Sequence, residues 1–181
     1  VSGLGLIVKH DTRNHVYQPS AGFYNQVSAV FHGRAFGGDY DFNLLSIDLR
    51  VYAPLFDTHV VAFQMHNGFI SGNAPFHQLN LLGGADLLRG YYEGRYRDRH
   101  MLTFQAEYRF PLAWRFGGVG FAGIGDVGDN LRDFRPGEFK YSFGAGLRLM
   151  FDRRERINAR LDVGCGRGGD IGIYALVLEA F

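Results

Sequence analysis

The 181-residue chain has a single cysteine, Cys165, which excludes an internal disulfide. No window reaches the roughly 18 consecutive apolar residues that a membrane-spanning helix needs. That excludes a helical span only, because barrel strands alternate and never form such a run. The net charge of +1 marks no nucleic-acid surface. The seven histidines (His10, His15, His32, His59, His66, His77, His100) are scattered, without the close spacing of a zinc site. No metal or cofactor is therefore expected. Gly164-Cys165-Gly166-Arg167-Gly168-Gly169 lacks the following helix and the Lys-Ser/Thr of a phosphate loop, and reads as a β-turn. Ser46 and His66 could meet on adjacent strands, but nothing singles them out as a hydrolytic pair, and the chain reads as a non-enzyme. No signal peptide is visible. Val1-Ser2-Gly3 opens directly into strand-like sequence, so the expectation is a processed start or a piece of something longer.

What the chain has in quantity is glycine (26), phenylalanine (17) and tyrosine (10), arranged in alternation. Leu4, Leu6 and Val8 form a weak first strand, broken by Asp11-Thr12-Arg13-Asn14 and a turn at Pro19-Ser20-Ala21-Gly22. Phe23, Asn25, Val27, Ala29 and Phe31 share one face of a second. Leu45 to Leu55 alternate against Ser46, Asp48, Arg50 and Tyr52 in a third, and His59 to about Ile70 make a fourth. After a long segment without clean alternation, 71–100, the pattern becomes strict. Phe104, Ala106, Tyr108 and Phe110 alternate with Thr103, Gln105, Glu107 and Arg109. A glycine-rich sixth strand runs through Val119, Phe121 and Val127. The seventh sets odd positions 139–151 apart from Lys140, Ser142 and Arg148. The eighth sets Ile157 to Cys165 against Asn158, Arg160 and Asp162. The last carries Ile173, Ala175, Val177 and Phe181 on one face.

Each strand thus has an apolar and a polar face. A soluble sandwich would pack the apolar faces together. Two features favour a membrane barrel instead. The strands run to about ten residues or more, the length of a tilted membrane strand. The connections also alternate, short near 55–58, 112–116 and 152–156, longer near 33–41, 71–100 and 129–137. The charged face would then line a wet lumen, and Phe181 would join an aromatic girdle. Arg153-Arg154-Glu155-Arg156 reads as a solvated charged turn. Nine strand candidates are an odd count, whereas complete bacterial barrels have an even one. The expected fold is an all-β, antiparallel transmembrane β-barrel with eight to nine strands in this chain, the C-terminal part of a larger barrel.

Several stretches occur in one order: Asp11-Thr12-Arg13, Pro19-Ser20-Ala21-Gly22, Pro75-Phe76, Gly83-Gly84 with Leu88-Arg89-Gly90-Tyr91, Glu107-Tyr108-Arg109-Phe110-Pro111, Gly144-Ala145-Gly146-Leu147-Arg148 and Glu179-Ala180-Phe181. This ordered set resembles the bacterial surface-antigen superfamily of outer-membrane proteins, which includes BamA-type insertases, TamA-type translocation proteins and two-partner secretion transporters. The resemblance covers essentially residues 1–181 and implies the C-terminal half of a sixteen-stranded barrel. It further implies that the 71–100 loop folds into the lumen with Arg89, Gly90 and Tyr91 at its tip and Glu107 as the partner in the wall. The family's second acid falls at Gly123 here, so the expectation is a weaker docking or another partner, Asp98 or Asp126.

The resemblance implies a protein insertion or translocation barrel in the bacterial outer membrane. Its last strand, Ile171 to Phe181 with Val177 and Phe181 as the terminal signal, would form one side of a seam where client strands add. The alternative is a barrel serving as anchor, dimeriser or pore for an upstream passenger such as a patatin-like lipase. Expected partners are outer-membrane lipid and client outer-membrane or secreted proteins, with POTRA repeats or a passenger upstream, or a second copy, as further options.

Overall fold

The computed structural model describes residues 1–152 and 154–181; Arg153 of the charged turn lies outside the described residues. Among the described residues eleven strands appear in chain order: β1 (Gly3–Asp11), β2 (Gly22–His32), β3 (Phe42–Leu55), β4 (His59–Gly72), β5 (Asn80–Leu82), β6 (Tyr96–Asp98), β7 (His100–Pro111), β8 (Phe116–Gly128), β9 (Lys140–Asp152), β10 (Ile157–Gly166) and β11 (Ile171–Val177). Nine form one sheet in the order β1-β2-β3-β4-β7-β8-β9-β10-β11, and β5 pairs only with β6. Each ladder is antiparallel and joins neighbours in sequence, with β7 following β4 across the long loop. Among the described residues no helix is long and apolar enough to cross a membrane, which says nothing of crossing by strands.

The alternation seen in sequence decides which face is inside. On β9, Phe143 and Leu147 are 56% and 51% exposed, while Ser142 and Arg148 are buried. Leu161 on β10 also points outward, between the buried Arg160 and Asp162. A soluble sandwich would have clasped these three apolar side chains; here the sheet turns them out and curls around charge. The apolar face suits acyl chains, and buried polar groups persist inside because they hydrogen-bond one another. The spanning strands reach 14 residues in β3 and β4, enough to cross a hydrocarbon layer at a tilt. Phe56 and Trp114 stand exposed on the turns at one end, where an interfacial aromatic belt would sit.

Three details differ from the sequence expectation. The 71–100 segment is not featureless. It holds a 3-10 turn at Phe76–Gln78 and the β5–β6 hairpin, whose three-residue strands are too short to show a period. The glycine-rich 164–169 stretch is only partly a turn, because Gly164, Cys165 and Gly166 belong to β10. Phe181 is not in an outward girdle. The last strand stops at Val177, which stays on the outer face. Leu178 takes φ +74°, and the chain bends inward so that Ala180 and Phe181 pack on Tyr52 and Ala62. The Leu178 amide donates to the Asn158 carbonyl at 2.7 Å, fixing the bend.

Candidate functional site: a loop docked on the inner wall

The loop between β4 and β7 enters the sheet's concave face and closes on itself before its tip. The Gly84 amide donates to the Tyr91 carbonyl at 3.0 Å. Gly83 (φ +106°) permits that approach, since a Cβ there would lie 2.4 Å from the Tyr92 carbonyl oxygen. Leu88 is fully buried beside Leu82, Tyr91 and Met101, and its amide donates to Gln105 at 3.3 Å. These contacts present Arg89 to the wall.

Arg89 is 1% exposed and is shared by two carboxylates. Its Nη2 donates to Glu107 on β7, and its Nη1 donates to Asp162 on β10 at 2.6 Å. The guanidinium lies 3.6 Å from the centroid of the Phe121 ring on β8. Neither acid is left with one partner. Glu107 also accepts from Arg109 Nε at 2.8 Å, and Asp162 accepts from Arg148 Nη1 at 2.5 Å. Arg148 in turn donates to Glu179 at 2.7 Å, and Arg109 donates to the Phe181 carbonyl at 2.8 Å. Charge is therefore spread along an alternating chain from the loop tip to the inward-bent tail. Such a chain offsets the desolvation that a lone buried pair would suffer, and it fixes geometry more than it adds stability. A second tie from the loop runs from Asp86 to Arg160, at 2.6 Å.

Gly90 (φ +123°) lets the tip lie flat. A Cβ there would stand 2.8 Å from the Cys165 carbonyl carbon and the Gly166 amide. The Tyr91 ring covers Gly166, and its hydroxyl accepts from the Arg167 amide at 2.6 Å while donating to the Tyr141 carbonyl at 2.9 Å. Burial pushes the Tyr91 phenol above its ordinary pKa.

The structure thus brings Gly83, Gly84, Arg89, Gly90, Tyr91 and Glu107 together, and it places Phe181 at the far end of the same charge chain. Val177 lies apart, on the outer face. The second acid is neither Asp98 nor Asp126. Asp126 accepts from Lys140, and Asp98 accepts from the Arg99 amide. Alternation had put Asp162 on the inner face, but nothing in sequence linked it to a residue so distant. His66 sits opposite Asp48 in the ladder and Ser46 opposite Gly68, so those two are not paired. Among the described residues no three His, Cys, Asp or Glu side chains converge as a metal set. The arrangement holds a loop against the inner face of the sheet.

Comparison with known proteins bears on what that wall is. Residues 2–151 match the model of the Omp85 superfamily domain, a range that stops before β10 and so before Asp162. The fold is similar to the crystal structure of BamA from Haemophilus ducreyi lacking POTRA domains 1–3, with a TM-score of 0.75 at 17% identity. That match covers 97% of this chain and 41% of the BamA chain, so the present chain spans less than half of its relative. Among curated proteins none matches. With that family's domain covering most of its length, the chain belongs to the Omp85 superfamily.

Proposed function

We propose that this chain is the C-terminal part of an outer-membrane barrel that inserts or translocates client proteins, and that clients engage it at β11. One observation carries the reading: β11 is the shortest strand of the main sheet, seven residues, and stands at its end. An edge strand offers unpaired amides and carbonyls to an incoming strand. A seven-residue ladder to β10 is also the weakest grip on any wall strand in this sheet by length. Outward-facing Ile171, Ile173 and Val177 suit a seam opening into lipid. In this reading the docked loop braces the lumen while the edge exchanges partners, and Glu107, Arg89, Gly90 and Tyr91 are the brace.

The test is client folding. The protein, with whatever precedes Val1 in its gene, is placed in phospholipid vesicles, and an unfolded eight-stranded barrel is added. Faster folding than in empty vesicles, with photo-crosslinks from positions 171–177 to the client's last strand, is the expected result. A rate equal to that of empty vesicles would leave the barrel as an anchor or pore for another domain.

A further inference from the structure

We infer that Tyr174 is a positioning residue that clamps the docked loop to the edge strand, so that undocking of the loop and release of β11 are one event. The inference rests on the reading of β11 as the working edge, but its geometry stands on separate residues. The Tyr174 hydroxyl accepts from the Gly90 amide at 2.9 Å and donates to the Tyr91 carbonyl at 2.8 Å. One side chain of the last strand therefore holds the Gly90 amide and the Tyr91 carbonyl, the backbone just after Arg89.

The bed beneath the tip is built to permit this. Gly164 on β10 pairs with Gly144 on β9 and with Gly172 on β11, giving a row of three glycines across the wall. A Cβ on Gly164 would come within 2.5 Å of the Arg89 carbonyl oxygen, and one on Gly172 within 2.3 Å of the Tyr174 hydroxyl. Without side chains the wall is flat there. The loop backbone lies against it, and Tyr174 folds over Gly172 to reach the tip. A side chain at Gly164 would lift the loop, and one at Gly172 its clamp.

The consequence is a linkage. β11 is held along its edge by seven residues of ladder to β10 and, on its inner side, by Tyr174 in the middle and the Glu179–Phe181 tail at the end. The two inner tethers meet at Asp162, which takes Arg89 from the loop and Arg148 from the tail's side. Pulling β11 away breaks the Tyr174 bonds and loosens the tip, leaving it to Arg89 and Tyr91 alone. Freeing the tip removes the Tyr174 partners and loosens β11. Coupling of this kind is reciprocal.

Hydrogen exchange on the intact protein in phospholipid vesicles tests it, comparing Tyr174→Phe, Arg89→Ala and the double variant. Losing the hydroxyl strands the Gly90 amide and removes two bonds, worth about tenfold in local opening. Each single variant is expected to speed exchange in both 171–177 and 86–92, and the double variant to exceed the faster single by little. If either single change loosens one segment alone, if neither moves, or if the effects multiply, the clamp is refuted. Should Tyr174→Phe fail to fold, Gly164→Ala sets its Cβ against the Arg89 and Gly90 backbone, lifting the tip first, and is expected to speed exchange in 171–177 as well; unchanged exchange there refutes the clamp equally. Exchange needs no client, so the clamp and the client-folding function can fail independently.

Discussion

Arg148 donates to Asp162 at 2.5 Å on the neighbouring strand, and the second oxygen of the same carboxylate holds Arg89 from the loop. One acid thus joins the wall, the loop tip and, through Glu179, the inward tail.

Asp162→Asn should be the most disruptive neutralisation in the lumen. It leaves Arg89 with Glu107 alone and Arg148 with Glu179 alone, all of them buried. Breaking a shared buried charge costs about 3 kcal/mol. Urea unfolding in detergent, followed by heat-modifiable gel mobility, should show a loss of unfolding free energy of that size. A shift under roughly 1 kcal/mol would mean that lumen water screens the site as it does a surface pair.

Arg89→Ala should loosen the loop at smaller cost to the wall. Glu107 keeps Arg109 and Asp162 keeps Arg148, so no carboxylate is orphaned. Limited proteolysis should cut within 83–95 while β1 to β4 and β7 to β10 stay protected. An unchanged cleavage pattern together with unchanged gel mobility would count against a docking role for Arg89.

Much of this was legible before any coordinates. Period-two patterning placed Glu107, Arg148 and Asp162 inside and Phe143 and Leu147 outside, because a strand has only two faces to offer. Partnership was not legible. Asp162 reaches Arg89 across 73 positions, a distance that only sheet curvature closes. The tail departs from the expectation because the outward alternation of Ile173, Ala175 and Val177 would continue to Phe181, and one residue at positive φ, Leu178, cancels it. A non-glycine residue in that region is uncommon and has no marker in sequence.

Gly123→Asp places an acid where the family resemblance leads one to expect it, and it should still not rescue Asp162→Asn. A Cβ at 123 would sit 3.1 Å from the Gln105 Cβ and 3.3 Å from a Leu88 methyl, so the carboxylate would press into the loop's apolar base. Burying it without a partner is unfavourable by a few kcal/mol. The double variant should unfold at lower urea than Asp162→Asn alone; recovery of the midpoint would show that the loop can shift to meet it.

Spin labels should separate the two faces. At Phe143, Leu147 and Leu161, outward in the structure, lipid-soluble oxygen should relax the label; at Gln26 and Ser28, on the inner face of β2, a water-soluble nickel chelate should do so. These sites avoid the Arg89 cluster, so the labels do not disturb it. The reverse pattern would turn the sheet inside out and remove the lumen on which the docked loop depends.

Phe181→Ala tests the inward tail. In a lipid-facing girdle the ring would contribute chiefly to membrane position, and truncation would leave folding nearly unchanged. Here the ring is 4% exposed against Tyr52 and Ala62, beside the Arg109 that also braces Glu107. Truncating a buried phenylalanine costs about 3–5 kcal/mol. The cavity also lies where β11 ends, so the loss should concentrate in that strand. Hydrogen exchange should quicken in 171–177 before it does in β7 or β9, and the unfolding midpoint should fall. Protection of 171–177 equal to wild type would place the ring on the outer surface and detach the tail from the charge chain.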